Sequence, residues 1–161
     1  MRELILGGAR SGKSRLAEQR AIVHEALGME VRYIATAEAW DDEMRDRLEH
    51  HRYQRPAHWM TVEEPVKLAA TLQANAAPDR CLIVDCVTLW LSALVFKGKA
   101  GEQMAAGDPI ECTLFSQERQ ALLDVLPQLL GEVILVSNEI GSGVVPENRL
   151  ARRFADEQGR L

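Results

Sequence analysis

The sequence predicts an α/β protein, a single domain built on a mostly parallel, doubly wound sheet. Three observations lead to this fold class. Short apolar runs without strict alternation suit strands that are buried on both faces, helical patterns separate these runs, and 161 residues with 47% hydrophobic content suffice for one core. Ligands of such sheets bind at the carboxyl ends of the strands, so we expect the functional site there.

The four predicted strands cover residues 3–6, 31–36, 81–85 and 132–137, and each is short and rich in β-branched residues or leucine. Between and after them, periodic apolar positions predict helices at residues 13–27, 42–54, 65–75, 86–97 and 110–130. Residues 97–109 contain three glycines, and we predict a mobile surface loop there. The sequence shows no internal repeat and no linker that would divide the chain.

The first strand leads directly into a phosphate-binding loop of the pattern G-x-x-x-x-G-K-[ST]. Its residues are Gly7, Gly8, Ala9, Arg10, Ser11, Gly12, Lys13 and Ser14. Glycines let consecutive backbone N–H groups point inward as an anion-binding nest, and the following helix adds the partial positive charge of its N-terminus. Lys13 can reach the β- and γ-phosphates, and the Ser14 hydroxyl can bind Mg²⁺. A Gly-rich turn can match this pattern by chance, but a strand before it and a helix after it favour a nucleoside triphosphate site.

Composition excludes several classes of protein. A formal charge of -5 argues against binding nucleic acid through bulk electrostatics. No apolar stretch approaches the ~20 residues of a membrane span, and the N-terminus lacks a signal-peptide pattern, so we expect no transmembrane segment. The three cysteines form no C-x-x-C pair, and we interpret Cys81 and Cys86 as core residues beside a strand. We therefore expect a reduced, cytoplasmic protein.

Asp85 ends the apolar run at residues 81–85. An acid at the tip of a buried strand is the usual partner of a phosphate loop, where it holds Mg²⁺ or its water shell. Asp is also a favourable N-cap for the helix predicted from residue 86. The two roles are compatible.

A charged segment surrounds two adjacent histidines, His50 and His51. Acidic residues lie at its start and Arg and His at its end, an order that complements the helix dipole and is typical of an exposed helix. A zinc site is disfavoured, because adjacent helical residues point about 100° apart, and His51 and His58 lack the i, i+4 spacing of a helical metal pair. A nucleophilic histidine remains, since neutral imidazole can attack phosphorus to give a covalent intermediate.

The predicted helix at residues 86–97 is apolar on almost every side. Such a helix is either buried deep in a core or pressed against a partner. Complete internal burial is difficult in so small a domain, so we favour a subunit interface and a homo-oligomer.

Two polar patterns complete the candidates. Thr61 and Glu64 have the spacing of a capping box, which leaves Glu63 free for a ligand. Three arginines share one helix face, which is either solvated or binds an anionic substrate. They are Arg149, Arg152 and Arg153.

Five segments together carry a resemblance to a known family. They are the phosphate loop, Tyr33-Ile34-Ala35-Thr36-Ala37, Asp41-Asp42-Glu43-Met44, the pair His50-His51 followed by Arg55-Pro56-Ala57-His58-Trp59, and Asn138-Glu139-Ile140-Gly141-Ser142-Gly143-Val144-Val145-Pro146-Glu147-Asn148-Arg149-Leu150-Ala151-Arg152. The sequence resembles the bifunctional adenosylcobinamide kinase / adenosylcobinamide-phosphate guanylyltransferase of cobalamin synthesis. The phosphate loop is generic, whereas the segments that follow the histidine pair and residue 145 are specific.

The resemblance implies two reactions on one P-loop scaffold. The aminopropanol hydroxyl of adenosylcobinamide takes the γ-phosphoryl group of ATP or GTP. GTP then gives GMP to an enzyme histidine, which the family pattern matches to His50, and adenosylcobinamide phosphate collects this GMP to give adenosylcobinamide-GDP. The family's nucleotide contacts map onto the phosphate loop, Ala35, Thr36, Ala37, His51, Arg52, Tyr53, Gln54, Glu63 and Asp85. Family members are typically homotrimers.

Relatives in this family usually continue past the Gly159-Arg160 dipeptide through another helix and a last strand, so we expect this domain to lack both. Two other functions remain open. One is a monofunctional small-molecule kinase of the phosphate-loop class with structural histidines. The other is a nucleotide-binding regulator that responds to the γ-phosphate without transferring it.

Overall fold

The computed structural model describes residues 1–38, 42–53, 55–140 and 146–161, and for residues 43, 44, 47, 48, 50 and 51 it describes the backbone alone. In these residues the strands form one all-parallel sheet in the order β1-β5-β4-β2-β3. The strands are β1 Arg2–Gly7, β2 Glu30–Ala35, β3 Met60–Glu63, β4 Arg80–Asp85 and β5 Glu132–Asn138. The predicted α/β class with a parallel sheet is confirmed.

The described helices are α1 Lys13–Ala26, α2 Asp42–Tyr53, α3 Leu68–Asn75, α4 Val87–Lys97, α5 Ala100–Ala106, α6 Thr113–Val125 and α7 Arg149–Gly159. A 3₁₀ turn, Leu126–Gln128, follows α6. The helix predicted at residues 110–130 is therefore too long. Pro127 lies in that turn, and because proline has no N–H it cannot continue the α-helical hydrogen bonding.

Each face of the sheet is covered by its own apolar cluster. On one face Ala17 and Ala21 of α1 are fully buried against residues such as Ile83 and Ile134. The small alanine side chains let α1 lie close to the strands. The other face carries a larger cluster that includes Trp90 and residues of α3, α4, α5 and α6. Full burial of one large apolar side chain there contributes about 1.5–3 kcal/mol.

Strand β3 is absent from the sequence prediction. It pairs with β2 alone among the described strands, and none of its four residues is fully buried, so the apolar signal is weak. Because Thr61 lies in this strand, the predicted capping box is wrong. The Glu64 carboxylate instead accepts hydrogen bonds from the N–H groups of Val66 and Lys67, at 2.9 and 2.8 Å.

The predicted surface loop at residues 97–109 is also wrong, because most of it forms α5. Ala100 and Met104, one helical turn apart, are fully buried in the larger cluster. Gly98 serves close packing, since a Cβ atom at this position would lie 2.6 Å from Sγ of Cys112. The glycines that suggest a loop therefore permit a tight approach of chain segments.

Helix α4 is mostly internal, whereas we expected complete burial to be difficult in so small a domain and favoured a subunit interface. Seven of its residues are buried, since the sheet, α5 and α6 all pack on it. Among its apolar residues, Leu89 and Phe96 are the exceptions, with 37% and 63% of their surface exposed. None of the described helices combines the length and the apolar character that crossing a bilayer requires.

Strand β1 lies at one edge of the described sheet. Its Leu4 and Leu6 side chains are 55% and 57% exposed. They line an apolar groove of about 500 Å³ together with residues of α6 such as Leu122.

Candidate functional site

The predicted phosphate loop connects β1 to α1, and its backbone includes two left-handed residues. Arg10 and Gly12 have left-handed backbones, with φ of 56° and 85°. Gly12 precedes α1 without a side-chain cap, so the first N–H groups of the helix face the loop unpaired by a capping side chain. The Lys13 ammonium donates to the carbonyl oxygen of Gly8 at 2.5 Å and so folds back over the loop. A cation and a helix N-terminus therefore converge on one concave backbone.

Gly7 is needed because of a close approach. A Cβ atom at Gly7 would lie 2.8 Å from Oγ of Ser11, whereas one at Gly8 would have no neighbour within 4 Å. The N–H of Glu139, just after β5, donates to the carbonyl of Gly7 at 3.0 Å. The loop is thus fixed at its base by β5.

Asp85 lies on the face of the sheet that α1 covers. Ile83 packs in the cluster under α1, and side chains two residues apart on a strand point to the same face. Ser14 and Glu18, separated by one helical turn, share one side of α1. Burial raises the pKa of Glu18, the Arg55 guanidinium opposes this shift, and the negative charge of Asp85 raises the pKa further. Ser14 therefore lies on the side of α1 that faces Asp85.

Asp85 accepts a hydrogen bond from Tyr33, whose hydroxyl donates to Oδ2 at 2.5 Å. Burial and the nearby Asp85 carboxylate both raise the pKa of Tyr33 well above its ordinary value. The guanidinium of Arg55 lies over the Tyr33 ring, 3.6 Å from its centroid. We did not predict Glu18, Tyr33 or Arg55 as site residues. The i, i+4 spacing of Glu18 from Ser14 could have indicated that Glu18 lies on the same side of α1 as Ser14.

The turn after β4 is held by Thr36. Its hydroxyl donates to the carbonyl oxygen of Cys86 at 2.7 Å and accepts from the N–H of Cys86 at 2.8 Å. Thr36 is buried, so its side chain positions the end of β4, and its contact with a nucleotide stays a prediction. Helix α4 begins at Val87 with Cys86 as its N-cap, so the alternative of Asp85 as the N-cap is wrong.

Cys81 and Cys86 are buried, as predicted. Burial raises the pKa of Cys86 to about 11, and the charge of Asp85 acts in the same direction. This thiol is therefore neutral near pH 7 and is not a nucleophile.

Ala35 ends β2 and pairs in register with Asp85. Ala37, two residues beyond Ala35, lines a cavity of about 460 Å³, which Glu38, Leu89 and Phe96 also line. These two predicted nucleotide-binding residues thus lie at the carboxyl edge of the sheet, where the phosphate loop also lies.

The C-terminal end of α2 reaches the same edge. Nη1 of Arg52 lies 4.0 Å from Oε1 of Glu63, which ends β3, and both side chains are exposed. Two strand spacings, about 10 Å, separate β3 from β4. Tyr53 is 88% exposed. The side chains of His50 and His51 and the whole of Gln54 lie outside the described residues, so their predicted roles stay predictions.

His58 lies at the opposite, amino edge of the sheet, just before β3. Its Nε2 atom is 2.6 Å from Oε1 of Glu25, near the end of α1. This contact gives His58 a structural role, far from the phosphate loop.

The three arginines of α7 also bind protein atoms. Arg149 donates to the carbonyl of Ala106, Arg152 to those of Pro146 and Glu147, and Arg153 to that of Asp108. These contacts tie α7 to neighbouring segments, which neither of our two interpretations of this helix face anticipated.

The donor atoms at Asp85 and Ser14 suit Mg²⁺, which prefers hard oxygen ligands and keeps much of its water. Among the side chains that the structure describes, no group of three or more His, Cys, Asp or Glu residues could hold a metal ion. A cation at Asp85 would therefore take most of its ligands from nucleotide phosphates and water.

Comparison with known proteins gives a consistent result. The model of the family "Cobinamide kinase / cobinamide phosphate guanyltransferase" matches residues 3–161. The bifunctional adenosylcobalamin biosynthesis protein CobP of Pseudomonas aeruginosa is 53% identical over 161 residues, which cover 100% of this chain and 84% of that protein. The corresponding CobU proteins of Salmonella typhimurium and Escherichia coli are 42% and 41% identical, over 98% of this chain and 86% of each relative. The chain therefore belongs to the cobinamide kinase / cobinamide phosphate guanyltransferase family of enzymes.

Proposed function

We propose that this protein phosphorylates adenosylcobinamide with ATP or GTP and then transfers GMP from GTP to the resulting phosphate. The observation that carries the proposal is the phosphate loop, with Lys13 folded over it and Asp85 on the face beneath α1, in a chain of this family. A loop of this kind binds the triphosphate that both reactions consume.

In the kinase reaction the aminopropanol hydroxyl oxygen attacks the γ-phosphorus of the nucleotide. The P–O bond to the β-phosphate breaks, the hydroxyl proton is lost to solvent or to the new phosphate, and the nucleoside diphosphate leaves. Such transfer needs positioning and charge neutralisation more than a dedicated base. Lys13 would neutralise the β- and γ-oxygens. Ser14 and Asp85 would hold Mg²⁺, which adds further positive charge to these oxygens when it is bound.

In the second reaction a ring nitrogen of His50 attacks the α-phosphorus of GTP, and pyrophosphate leaves. A phosphate oxygen of adenosylcobinamide phosphate then attacks the same phosphorus, the P–N bond breaks, and histidine is regenerated. The assignment of His50 rests on the family pattern. The backbone of α2, whose end lies beside Glu63 at the carboxyl edge of the sheet, is compatible with it. His51, Arg52, Tyr53, Gln54 and Glu63 would contact the guanine nucleotide.

We further propose that the protein is a homo-oligomer, and the family resemblance implies a trimer. Leu89 and Phe96 lie seven residues apart on α4 and form an exposed apolar stripe along a cavity that also contains Ala37. A second subunit that covers this stripe would remove apolar surface from water beside the nucleotide site. The three unpaired thiols suit a cytoplasmic enzyme.

Labelling with GTP tests the proposed function against its alternatives. With α-labelled GTP, a guanylyltransferase retains label on the denatured protein. The label should be acid-labile and alkali-stable, because the bond between histidine and GMP is a phosphoramidate. A monofunctional kinase yields labelled cobinamide phosphate from γ-labelled donor but no labelled protein. A regulatory switch yields neither product.

The histidine assignment has a matched control in the same chain. His50→Gln should lose the covalent label and keep kinase activity, whereas His58→Gln should label like the parent protein, because His58 contacts Glu25 at the other edge. Full labelling of the His50→Gln protein would exclude His50 as the GMP carrier.

A further inference from the structure

The candidate cation ligand Asp85 accepts a hydrogen bond from Tyr33, a buried residue to which no role has been assigned. The Tyr33 hydroxyl donates to Oδ2 of Asp85 at 2.5 Å, and Tyr33 is only 2% exposed. In the β2–β4 register Tyr33 pairs with Ile83 and Ala35 pairs with Asp85, so the phenol reaches Asp85 diagonally on one face. A carboxylate that can rotate presents either oxygen to a cation. This hydrogen bond fixes which of the two it presents.

A second contact connects this pair to the end of α2. The Arg55 guanidinium lies 3.6 Å from the centroid of the Tyr33 ring, a distance at which stacking and cation–π attraction are both effective. The N–H of Arg55 donates to the carbonyl of Arg52 in the last turn of α2, at 3.4 Å. Arg55, Tyr33 and Asp85 therefore form a continuous series of contacts from α2 to the tip of β4.

We propose that Tyr33 and Arg55 are positioning residues that orient the Asp85 carboxylate toward the nucleotide-bound cation and tie that orientation to the position of α2. Tyr33 acts on Asp85 directly, and Arg55 acts through the Tyr33 ring. Oδ1 of Asp85 would then be the oxygen left to bind the cation. The inference rests on the proposed function, since it takes Asp85 as the carboxylate that holds Mg²⁺.

The alternative is that Tyr33 only fills space in the core beneath α1. The Tyr33→Phe substitution distinguishes the positioning role from the packing role. It keeps the ring, the packing of the ring and its contact with Arg55, and it removes only the hydroxyl. Outer-shell hydrogen bonds to metal ligands typically change metal affinity by about 10–100-fold. We therefore expect the Tyr33→Phe protein with bound GTP to bind Mn²⁺, a spectroscopic substitute for Mg²⁺, about tenfold more weakly.

The measurement is the electron paramagnetic resonance signal of free Mn²⁺ during titration of the GTP-loaded protein. The Mg²⁺ concentration for half-maximal kinase activity should rise by a similar factor, while metal-free GTP binding stays as in the parent. Equal Mn²⁺ affinity in parent and Tyr33→Phe proteins would overturn the proposal.

A double-mutant cycle tests the role of Arg55. Arg55→Met should weaken Mn²⁺ binding in the parent protein and have no further effect in the Tyr33→Phe protein, because Arg55 acts through the tyrosine. Additive losses would contradict the link. Arg32→Met is the control: Arg32 lies on the same strand but binds Glu30 and Asn75 at its amino end, so Mn²⁺ affinity should not change.

These outcomes are distinguishable from failure of the proposed function. If the parent protein neither phosphorylates cobinamide nor retains α-label, the function is wrong whatever the Mn²⁺ titrations give. If the parent is active and Tyr33→Phe binds Mn²⁺ normally, the function stands and the positioning role fails.

Discussion

The Nε2 atom of His58 lies 2.6 Å from Oε1 of Glu25, and the Trp59 indole N–H donates to the same oxygen at 2.8 Å. This contact fastens the segment before β3 to the end of α1, at the edge of the sheet away from the phosphate loop. Two donors on one carboxylate oxygen stabilise the ionised form of Glu25.

The contact predicts a pH dependence of stability. The His58 hydrogen bond, aided by that of Trp59 and opposed by burial, lowers the pKa of Glu25. A lowered folded-state pKa means that the contribution is complete above the ordinary glutamate pKa and is lost as pH falls through the folded value. Glu25→Gln should therefore unfold about 1 kcal/mol more easily than the parent near pH 7, and this difference should shrink as the pH falls below the ordinary glutamate pKa. Urea unfolding across this range is the measurement; a difference that persists in acid would argue against the ionised contact.

Lys13→Ala should reduce both reactions by about 100-fold or more, because it removes the cation that neutralises the β- and γ-oxygens of the bound triphosphate. Lys99→Ala, at an exposed position just before α5, is the matched loss of one positive charge and should leave both rates unchanged. Rates with γ-labelled and α-labelled GTP give the two activities separately. Near-normal turnover in either reaction would show that the two reactions do not share the phosphate loop.

Phe96→Glu should shift the protein toward monomer, because it places a charge in the exposed apolar stripe of α4. Leu27→Glu is the control, since Leu27 is even more exposed, at 77%, but lies at the end of α1. Sedimentation velocity at micromolar concentration distinguishes the species. If the parent protein sediments as a monomer, or Phe96→Glu keeps the parent's assembly, the stripe is not the interface.

Gly131→Ala should lower the free energy of unfolding by about 3–5 kcal/mol. Gly131 has a φ of 74°, and a Cβ atom there would lie 2.2 Å from the carbonyl oxygen of Ala77 and 2.4 Å from that of Arg80. Gly28→Ala measures the effect of backbone strain alone, because the φ of Gly28 is 91° but an added Cβ atom has no neighbour within 4 Å. We expect it to lower the free energy of unfolding by about 1–2 kcal/mol. Denaturant unfolding of the two variants should differ by the steric term, and equal costs would contradict the close approach.

The sequence predicted the parts of the fold that depend on local pattern. Four strands and the helices around them follow from apolar periodicity, and the phosphate loop follows from its spacing. Strand β3 was missed because an edge strand of four residues buries little. Helix α5 was missed because Gly98 and Gly101 favour a loop by propensity, whereas in the structure they allow close contact with Cys112 and Val95. In both segments tertiary packing determines the secondary structure, and a short stretch of sequence carries no information about that packing.

The candidate site was predicted only in part for a related reason. Lys13, Ser14 and Asp85 belong to patterns with a known chemistry, so the sequence alone indicates them. Tyr33 and Arg55 acquire their relation to Asp85 through strand register and through the path of the chain after α2. From the sequence alone, a tyrosine in an apolar strand is interpreted as a core residue.

Strand β1 pairs, within the described sheet, with β5 and with no other strand, so Gly7 meets its partner Asn138 across most of the chain length. A ribosome that has released only the first hundred residues has already made the phosphate loop sequence but not the strand that holds its base. Closing so long a stretch costs more conformational entropy than pairing neighbouring segments, so we expect it late in folding. The proposed nucleotide site is therefore incomplete until β5 joins the sheet. GTP binding by a growing chain would then indicate that the sheet has formed.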